Sequence, residues 1–458
     1  MIKKYYKDSA HTKKAIVISC YRWEWQQVLT IEGARELESC GYEVEYLELT
    51  GLESSLCKNW IKNLVVEKNG YRSRIRLLKS RGIAVHRPRL KILTAKLQMK
   101  LQLLTRFDLN TLAKSRWEVV YPGLVDLTND VNVSFKSHKK LTRNILMQDL
   151  FFTRLLANWG EAHPIDFETV LIVNGRFPLN RAAADFFRKK NQSVTFIEFG
   201  SNRERFQFYN VSPHSMTNRR KLFQEFLENT SLDADISYKL GSGFFEGRRK
   251  FDAQANLSWT RKMDPEIIPE IDAQKKVCTF FPTSEKEFAG VGDIPPLGHF
   301  KDQHEALNAL IQQLDDSWDI YIRRHPRATD ARNDPELERW EAYNRFPNVH
   351  IISPDSNVDS YALGMRSTLV AHYSSFIGPE LIFAGHDNVV TLGPTQWEHL
   401  DPHRHLHNSQ EISNYFKTGR TLTNNPRIHF LGFYMSTFGK DFKSHSWDAL
   451  NGIWTLNQ

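Results

Sequence analysis

The sequence contains little cysteine, and its cysteines are scattered. No two of them form a CxxC pair and none has a histidine at metal-ligand spacing; the four are Cys20, Cys40, Cys57 and Cys278. Disulfide frameworks and zinc sites need closely spaced thiols or imidazoles. We therefore expect buried free thiols in a reducing compartment, with no disulfide and no zinc site.

Long apolar segments are also missing. No uninterrupted apolar run reaches the roughly 18 residues that span a bilayer. The N-terminal sequence MIKKYYKDSAHTKK lacks the apolar stretch of a signal peptide. These absences predict a cytoplasmic protein, either free or peripheral on the inner face of the plasma membrane.

The composition is ordinary for a globular protein, with 41% hydrophobic and 25% charged residues. Single cores stop growing at roughly 250–300 residues, so 458 residues predict two domains. Segments such as KKAIVIS, a helical stretch and YEVEYLEL follow one another as strand, helix and strand, and a second such series starts at KKVCTFFPTS. We expect an α/β protein with two doubly wound, Rossmann-like domains facing a cleft.

The domain boundaries follow from where these series stop and restart. We expect an N-terminal domain over residues 1–265 and a C-terminal domain over residues 266–458. The last helices of the second domain are able to return to the first. Leucine spacing over about 58–158 predicts a helical insertion in the first domain.

This insertion is strongly basic. Residues 58–116 contain sixteen Lys or Arg against two acids, Glu67 and Asp108. Three interpretations remain open: a face against anionic membrane lipids, a site for an acidic glycan or lipid-phosphate acceptor, or a solvated surface. The stretch lacks regularly interleaved aromatics and any known recognition motif, so we expect no nucleic-acid partner.

Three polar motifs follow predicted strands, where ligands of doubly wound sheets bind. Glu198 lies in IEFGS, His325 and Pro326 lie in YIRRHPR, and Ser374 and Ser375 lie in VAHYSSFIGPE. In these motifs the sequence resembles bacterial glycosyltransferases that use CMP-activated sugars, the sialyltransferases and Kdo transferases of capsule and lipopolysaccharide synthesis. Their motifs run acidic-acidic-Gly, His-Pro and Ser-Ser. The resemblance implies the two-domain GT-B fold, with residues 1–265 as the acceptor-side domain and residues 266–458 as the nucleotide-sugar-binding domain.

The resemblance also implies a role for Glu198. The first acid of the acidic pair is the general base of that family, and Glu198 occupies its position, while Phe199 stands where the second acid is expected. A sugar hydroxyl is a poor nucleophile until a positioned base removes its proton. A surface glutamate that merely ends a strand is the alternative.

His325 is the second catalytic candidate and Arg324 supplies charge beside it, since Pro326 fixes the backbone that carries the imidazole toward a phosphate. A purely structural His-Pro pair is the alternative. Ser374 and Ser375 are expected to open a helix, where hydroxyls and free N–H groups bind a nucleotide phosphate or simply cap the helix.

Further candidates lie at other strand ends. Thr283 and Ser284 in FFPTSEKEF are expected on the donor side, and Glu380 is expected to bind a donor ribose or sugar hydroxyl. Asn174 and Arg176 in NGR either face the acceptor or form a plain turn.

We expect no metal and no cofactor beyond the nucleotide-sugar substrate, with a CMP-sugar favoured. Asp233-Ala234-Asp235 resembles a metal-binding DxD but has no strand before it. Four histidines are interpreted as part of a solvated loop: His399, His403, His405 and His407.

The resulting hypothesis is a metal-independent glycosyltransferase that transfers Kdo or another CMP-activated acidic sugar to a surface-polysaccharide or lipid-linked glycan acceptor. One alternative is a CDP-glycerol or CDP-ribitol phosphotransferase of teichoic-type polymers, although those enzymes carry Asp where this chain has His372. A second is a non-catalytic, glycan-binding capsule-assembly protein, which Phe199 would favour.

Overall fold

The structure is a computed structural model, and it describes most of the chain. The described residues are 13–21, 23–49, 71–87, 95, 109–128, 130–163, 165–200, 203–230, 234–250, 264, 267–287, 300–325, 328, 335–419, 427–448 and 453–457. By compactness the chain divides into two units. Unit 1 comprises residues 1–127, 132–214 and 438–458, and unit 2 comprises residues 128–131 and 215–437.

The elements are numbered in chain order through both units. The strands are β1 (Lys13–Ser19), β2 (Tyr42–Glu48), β3 (Ala84–His86), β4 (Thr169–Val173), β5 (Val194–Phe199), β6 (Arg205–Tyr209), β7 (Lys276–Phe281), β8 (Trp318–Arg323), β9 (Val349–Ile352), β10 (Leu369–His372), β11 (Val389–Thr391), β12 (Lys440–Asp441), β13 (His445–Asp448) and β14 (Ile453–Leu456). The α-helices are α1 (Glu24–Ser39), α2 (Tyr71–Ser80), α3 (Leu109–Ser115), α4 (Trp117–Thr128), α5 (Lys139–Gly160), α6 (Pro178–Arg188), α7 (Met216–Asn229), α8 (Ala234–Arg249), α9 (Gln303–Ile311), α10 (Pro335–Glu341), α11 (Ser360–Arg366), α12 (Ile377–Phe383), α13 (Ser409–Thr418) and α14 (Ile428–Thr437).

Unit 1 is built on a sheet of order β12-β6-β5-β4-β1-β2-β3. Strands β5, β4, β1, β2 and β3 are parallel, while β6 and β12 pair antiparallel at one edge. All five residues of β4 are buried, as expected for a strand covered on both faces. Helix α1 packs closely on this sheet because Gly33 has no side chain: a Cβ there would lie 2.4 Å from Leu171 Cδ2.

In the part of the predicted insertion that the structure describes, most residues belong to the helices α2 to α5. The structure adds a strand that the sequence analysis did not predict: β3 pairs with β2 in parallel register. Only three residues long, β3 carries too little periodic pattern to stand out from the sequence. Gly82, with φ +81°, makes the turn between α2 and β3.

The chain ends in unit 1. Buried Glu32 of α1 accepts hydrogen bonds from the backbone N–H groups of Lys443 and Ser444, both at 2.8 Å, and its carboxylate lies 2.8 Å from His445 Nδ1. The side chain of Arg74 on α2 contacts the other ring nitrogen of His445 at 3.3 Å. These bonds attach the C-terminal strands to α1 and α2.

Unit 2 contains a parallel sheet of order β11-β10-β7-β8-β9. Its main core cluster includes Cys278 and Phe280 of β7, Ile320 of β8 and Leu307 of α9. With a parallel Rossmann-like sheet in each unit, the predicted fold class is confirmed. The chain first leaves unit 1 for more than a few residues after His214, earlier than residue 265, and the returning segment consists of strands, not helices.

Among the described residues, no helix is both long enough and apolar enough to cross a bilayer. Cys20, Cys40 and Cys278 form no disulfide with one another, and Cys57 lies outside the described residues. Much of the basic segment 58–116 lies outside them as well. Several of its described arginines pair with acids of unit 1: Arg74 with Glu24, Arg81 with Glu38, Arg87 with Glu48 and Arg116 with Asp149.

Candidate functional site

Each unit has one point at which the order of its parallel strands reverses direction. In unit 1 this switch point lies between β1 and β4, and in unit 2 it lies between β7 and β10. Helices leave the sheet in opposite directions there, so the strand ends frame a crevice where ligands of doubly wound folds bind. The candidate residues are therefore described around the two switch points, one unit at a time.

In unit 1, the turn from β4 to α6 places Asn174 beside the end of β5. Asn174 and Gly175 both have positive φ, at 63° and 76°. The side-chain oxygen of Asn174 accepts the Arg176 N–H at 3.0 Å, which fixes the orientation of the amide. A Cβ on Gly175 would lie 2.3 Å from the ring of Phe196, so the turn requires glycine there.

Glu198 is a buried carboxylate at the end of β5. Its Oε2 accepts Asn174 Nδ2 at 2.5 Å, and its Oε1 accepts the Phe199 N–H at 3.0 Å. Burial disfavours the charge, but the hydrogen bond and charge of His214 and the amides of Phe199 and Asn174 outweigh it, so the pKa of Glu198 is lowered. The carboxylate is therefore ionised at neutral pH.

His214 completes this cluster and was missed by sequence reasoning. Its Nε2 lies 2.6 Å from Asn174 Nδ2 and 3.4 Å from Glu198 Oε2. Neutral, this nitrogen accepts from the Asn174 amide; protonated, it forms an ion pair with Glu198. The only sequence signal is its position in the SPHS segment, directly before Ser215, the N-cap of α7.

Phe199, in place of the expected second acid, belongs to a row of aromatic rings. It stacks on Trp454 with ring centroids 5.6 Å apart, and Trp25 lies 6.2 Å from it on another side. The guanidinium of Arg203 lies 4.9 Å from the Phe199 ring centroid. The position is therefore committed to packing in unit 1.

Arg176 follows Asn174 and is also buried. Its guanidinium lies 3.3 Å from Asp126 Oδ1 and 4.9 Å from the ring centroid of Phe177. The structure thus brings Asn174, Arg176 and Glu198 together at adjacent strand ends, as the strand-end argument expected.

In unit 2, the predicted donor residues flank the switch point. Thr283 and Ser284 follow β7, and Ser374 and Ser375 follow β10, the neighbouring strand. Ser374 has φ 57°, and its buried Oγ has no hydrogen-bond partner among the described residues. Neither serine caps the next helix, because α12 begins at Ile377 with Phe376 as its N-cap.

Strand β8 lies next to β7, and its last residue, Arg323, and the two residues after it have different surroundings. Arg323 points into the fold, where its guanidinium donates to the carbonyls of Ser353 and Ser356, and burial lowers its pKa to about 10. Arg324 is buried and His325 half-buried directly after the strand. Pro326 lies outside the described residues.

Glu380 is bound within unit 2. Its carboxylate accepts from Arg248 Nε and, at 2.9 Å, from the hydroxyl of Tyr361. The Arg248 guanidinium also lies 5.0 Å from the Phe376 ring centroid. This buried ion pair joins α8 to α12, so the acid predicted to bind the donor already has two protein partners.

The four histidines predicted in a solvated loop are not all solvated. His405 is buried and its Nε2 lies 2.8 Å from Thr395 Oγ1, while His407 lies 3.0 Å from the carboxylate of Glu398. The turns after β11 return to the sheet, which the sequence pattern did not indicate. His372 is also fully buried, and burial lowers its pKa to about 3.

No protein-family model matches the sequence, and no curated protein matches it. Similar solved structures include KpsC, a beta Kdo 2,4 transferase from Thermosulfurimonas dismutans, at 12% identity and TM-score 0.39, covering 64% of this chain and 86% of that one. A UDP-GlcNAc 2-epimerase from Methanocaldococcus jannaschii, in complex with UDP-GlcNAc and UDP, has 9% identity and TM-score 0.33, with 92% and 98% covered. CalG4, the calicheamicin glycosyltransferase, has 11% identity and TM-score 0.25, with 93% and 94% covered. These TM-scores are low, so the fold is assigned from the strand order within each unit.

Proposed function

We propose that this chain is a glycosyltransferase that moves a sugar from a nucleotide donor to a hydroxyl of a surface-polysaccharide or lipid-linked glycan. The observation that carries the proposal is the cluster of Asn174, Glu198 and His214 beside the unit 1 switch point. A carboxylate paired with an imidazole is an arrangement that accepts a proton and holds the resulting charge.

The lowered pKa of Glu198 makes it a weak base by itself, because general bases work best with a pKa near the working pH. His214 compensates, because its imidazole is a second proton-accepting group beside the carboxylate. The acceptor hydroxyl gives its proton to the Glu198–His214 pair, and the imidazolium is then held against the carboxylate, 3.4 Å away.

The transfer balances without a metal. The acceptor oxygen forms a bond to the anomeric carbon, the bond from that carbon to the donor phosphate breaks, and the nucleotide leaves with the negative charge. In unit 2 we assign that phosphate to the hydroxyls of Ser374, Ser375, Thr283 and Ser284, with Arg324 and His325 on the next strand. Buried hydroxyl and cationic donors stabilise such developing charge. We favour a CMP-activated acidic sugar as donor.

One observation favours the second candidate, a non-catalytic glycan-binding protein. Phe199 stacks on Trp454 in the position where the resembling enzymes have their second acid. The phosphotransferase alternative gains no such support, because His372 is buried and its pKa of about 3 keeps it neutral where those enzymes carry an ionised Asp.

The direct test is to screen the purified chain against CMP, CDP, UDP and GDP by thermal shift. The corresponding activated sugars are then assayed for nucleotide release with and without a glycan acceptor. A ligand that binds only the folded state raises the apparent stability. We expect one nucleotide to raise the Tm and its sugar derivative to be turned over. A protein that binds glycan but no nucleotide would be the second candidate.

We further propose that residues 58–116 bring the enzyme to an anionic membrane surface. The expected result is sedimentation with vesicles containing phosphatidylglycerol at low salt, fading as salt screens the charges. Equal sedimentation with neutral vesicles would leave the acidic-acceptor or solvated interpretations.

A further inference from the structure

The turn from β1 to α1 places a group of aromatic side chains at the unit 1 switch point. Tyr21 and Trp23 stack with ring centroids 4.5 Å apart and planes inclined by 12°. Phe177, from the turn after β4, meets Trp23 edge-on at 4.9 Å, and Trp25 lies 6.1 Å from Trp23. Aromatic residues from both strands that frame the crevice therefore contact one another.

Hydrogen bonds within unit 1 fix the position of Tyr21, on which Trp23 stacks. The Tyr21 hydroxyl accepts the Leu179 N–H at 3.2 Å, and the Tyr21 carbonyl accepts Gln27 Nε2 at 2.9 Å. Tyr21 is only 8% exposed, whereas Trp23 is 44% exposed although it contacts three other rings. An indole that is held in place by three rings and still nearly half exposed presents a fixed apolar surface to solvent.

The polar cluster of the proposed active site lies close by. β1, β4 and β5 are consecutive in the sheet, so at the usual spacing the ends of β1 and β5 are about 10 Å apart. Asn174, at the end of β4, lies between them. Trp23 contacts Phe177 in the turn that contains Asn174, and Trp25 lies 6.2 Å from Phe199, the neighbour of Glu198, so the aromatic group and the polar cluster share one edge of the sheet.

We propose that Trp23 is a stacking platform for a pyranose ring of the acceptor. This inference rests on the proposed function and adds the acceptor subsite to it. The apolar C–H face of a sugar ring packs on an indole, while its hydroxyls, which project around the ring edge, reach toward Asn174 and Glu198. The platform orients one hydroxyl toward the proton-accepting pair.

The negative charge of Glu198 favours an uncharged sugar over a nucleotide as the ligand that stacks on Trp23. A nucleobase also stacks on an indole, but its phosphates would approach the ionised carboxylate of Glu198. The guanidinium of Arg176 does not offset this repulsion, since Asp126 lies 3.3 Å from it. An uncharged, hydroxyl-rich ring meets no such penalty.

The test follows the indole directly by ¹⁹F NMR of full-length protein labelled with 5-fluorotryptophan. The Trp23 resonance is assigned from its loss in Trp23→Phe, with Trp318→Phe in unit 2 as the matched control. The probes are methyl β-D-galactopyranoside, methyl β-D-glucopyranoside and CMP. We expect at least one pyranoside, and not CMP, to shift the Trp23 resonance.

Affinity is measured by saturation transfer from the protein to the same probes. Trp23→Ala is expected to weaken pyranoside binding at least tenfold, and Trp23→Phe about threefold, with Trp318→Phe unchanged. Pyranoside binding that is equal in Trp23→Ala and the wild type, or a Trp23 resonance that moves only with CMP, overturns the proposal.

The outcome is separable from that of the proposed function, because pyranoside binding needs no transfer. Pyranoside shifts at Trp23 in a chain that turns over no nucleotide sugar would retain the platform and reject the transferase. If Trp23→Ala still turns over the nucleotide sugar with an unchanged acceptor KM, the transferase is retained and the platform is rejected.

Discussion

At the unit 1 switch point every side-chain polar atom of Asn174 and Glu198 has a hydrogen-bond partner, whereas at the unit 2 switch point the buried hydroxyl of Ser374 has none among the described residues. The first arrangement is already organised before any substrate arrives, which suits a group that must accept a proton. The second keeps a donor available for a ligand atom, which suits a phosphate site. The proposed function accordingly assigns proton transfer to unit 1 and phosphate binding to unit 2.

The largest expected effect concerns Glu198→Gln. The amide keeps the size of the side chain but removes the carboxylate, so transfer should fall by roughly a hundred- to ten-thousand-fold, the usual contribution of a general base. Nucleotide affinity, measured by calorimetry, should stay within about twofold. Wild-type transfer by the folded variant would place the base elsewhere.

The second-largest expected effect concerns Arg248→Met. This variant tests whether the Arg248–Glu380 pair stabilises unit 2 or takes part in donor binding. The change leaves the buried Glu380 carboxylate without its cation, which should cost about 3–5 kcal/mol of unfolding free energy in urea. Lys250→Met, which breaks the exposed pair between Glu246 of the same helix and the residue directly after that helix, should cost about 0.5 kcal/mol or less. If the Arg248→Met variant keeps wild-type stability but binds nucleotide more weakly, Glu380 belongs to the donor site.

Ser374→Gly tests the unpartnered hydroxyl. Glycine relieves the positive φ, so the Tm of the ligand-free protein should hold or rise, while nucleotide affinity should fall about tenfold through loss of a hydrogen bond to a charged group. Asn191→Gly is the matched control, because Asn191 also has positive φ, at 59°, in unit 1. Equal nucleotide affinity in both variants would remove Ser374 from the phosphate site.

The smallest effect is a shift in pH dependence in His214→Asn. In the wild type the pKa of Glu198 is lowered, so its ionisation adds stability above its ordinary value of 4.5 that is lost as pH falls below it. Without His214 the pKa of Glu198 should rise toward or above 4.5, so the variant should lose less Tm than the wild type as the pH falls below 4.5. Melting curves between pH 7 and 3 check this, with Glu198→Gln as the background in which His214→Asn should have no such effect.

The sequence predicted what its local patterns specify. Strands such as KKAIVIS and TVLIV contain apolar runs, and the polar residues at the ends of neighbouring parallel strands had to meet at one sheet edge, as Asn174 and Glu198 do. His214 could not be found in this way because it lies after β6, an antiparallel strand, where the rule for parallel strand ends does not apply. The three-residue strand β3 was too short to show a period.

Other features depend on partners far away in the chain. Glu380 had the right position for a donor contact, but its cation, Arg248, comes from a helix 132 residues earlier. In the sequence Phe199 appears only as a missing second acid, because its stacking partner, Trp454, lies near the end of the chain. No local pattern reports such pairings.

The return of residues 438–458 to unit 1 has a consequence for the order in which the protein is made. Residues 215–437 form a continuous stretch that is synthesised before the partners of Glu32. Domains usually complete themselves in chain order during synthesis. Here unit 1 begins first but receives β12 to β14 only after residues 215–437 have been made, so the earlier unit is the later one to be completed.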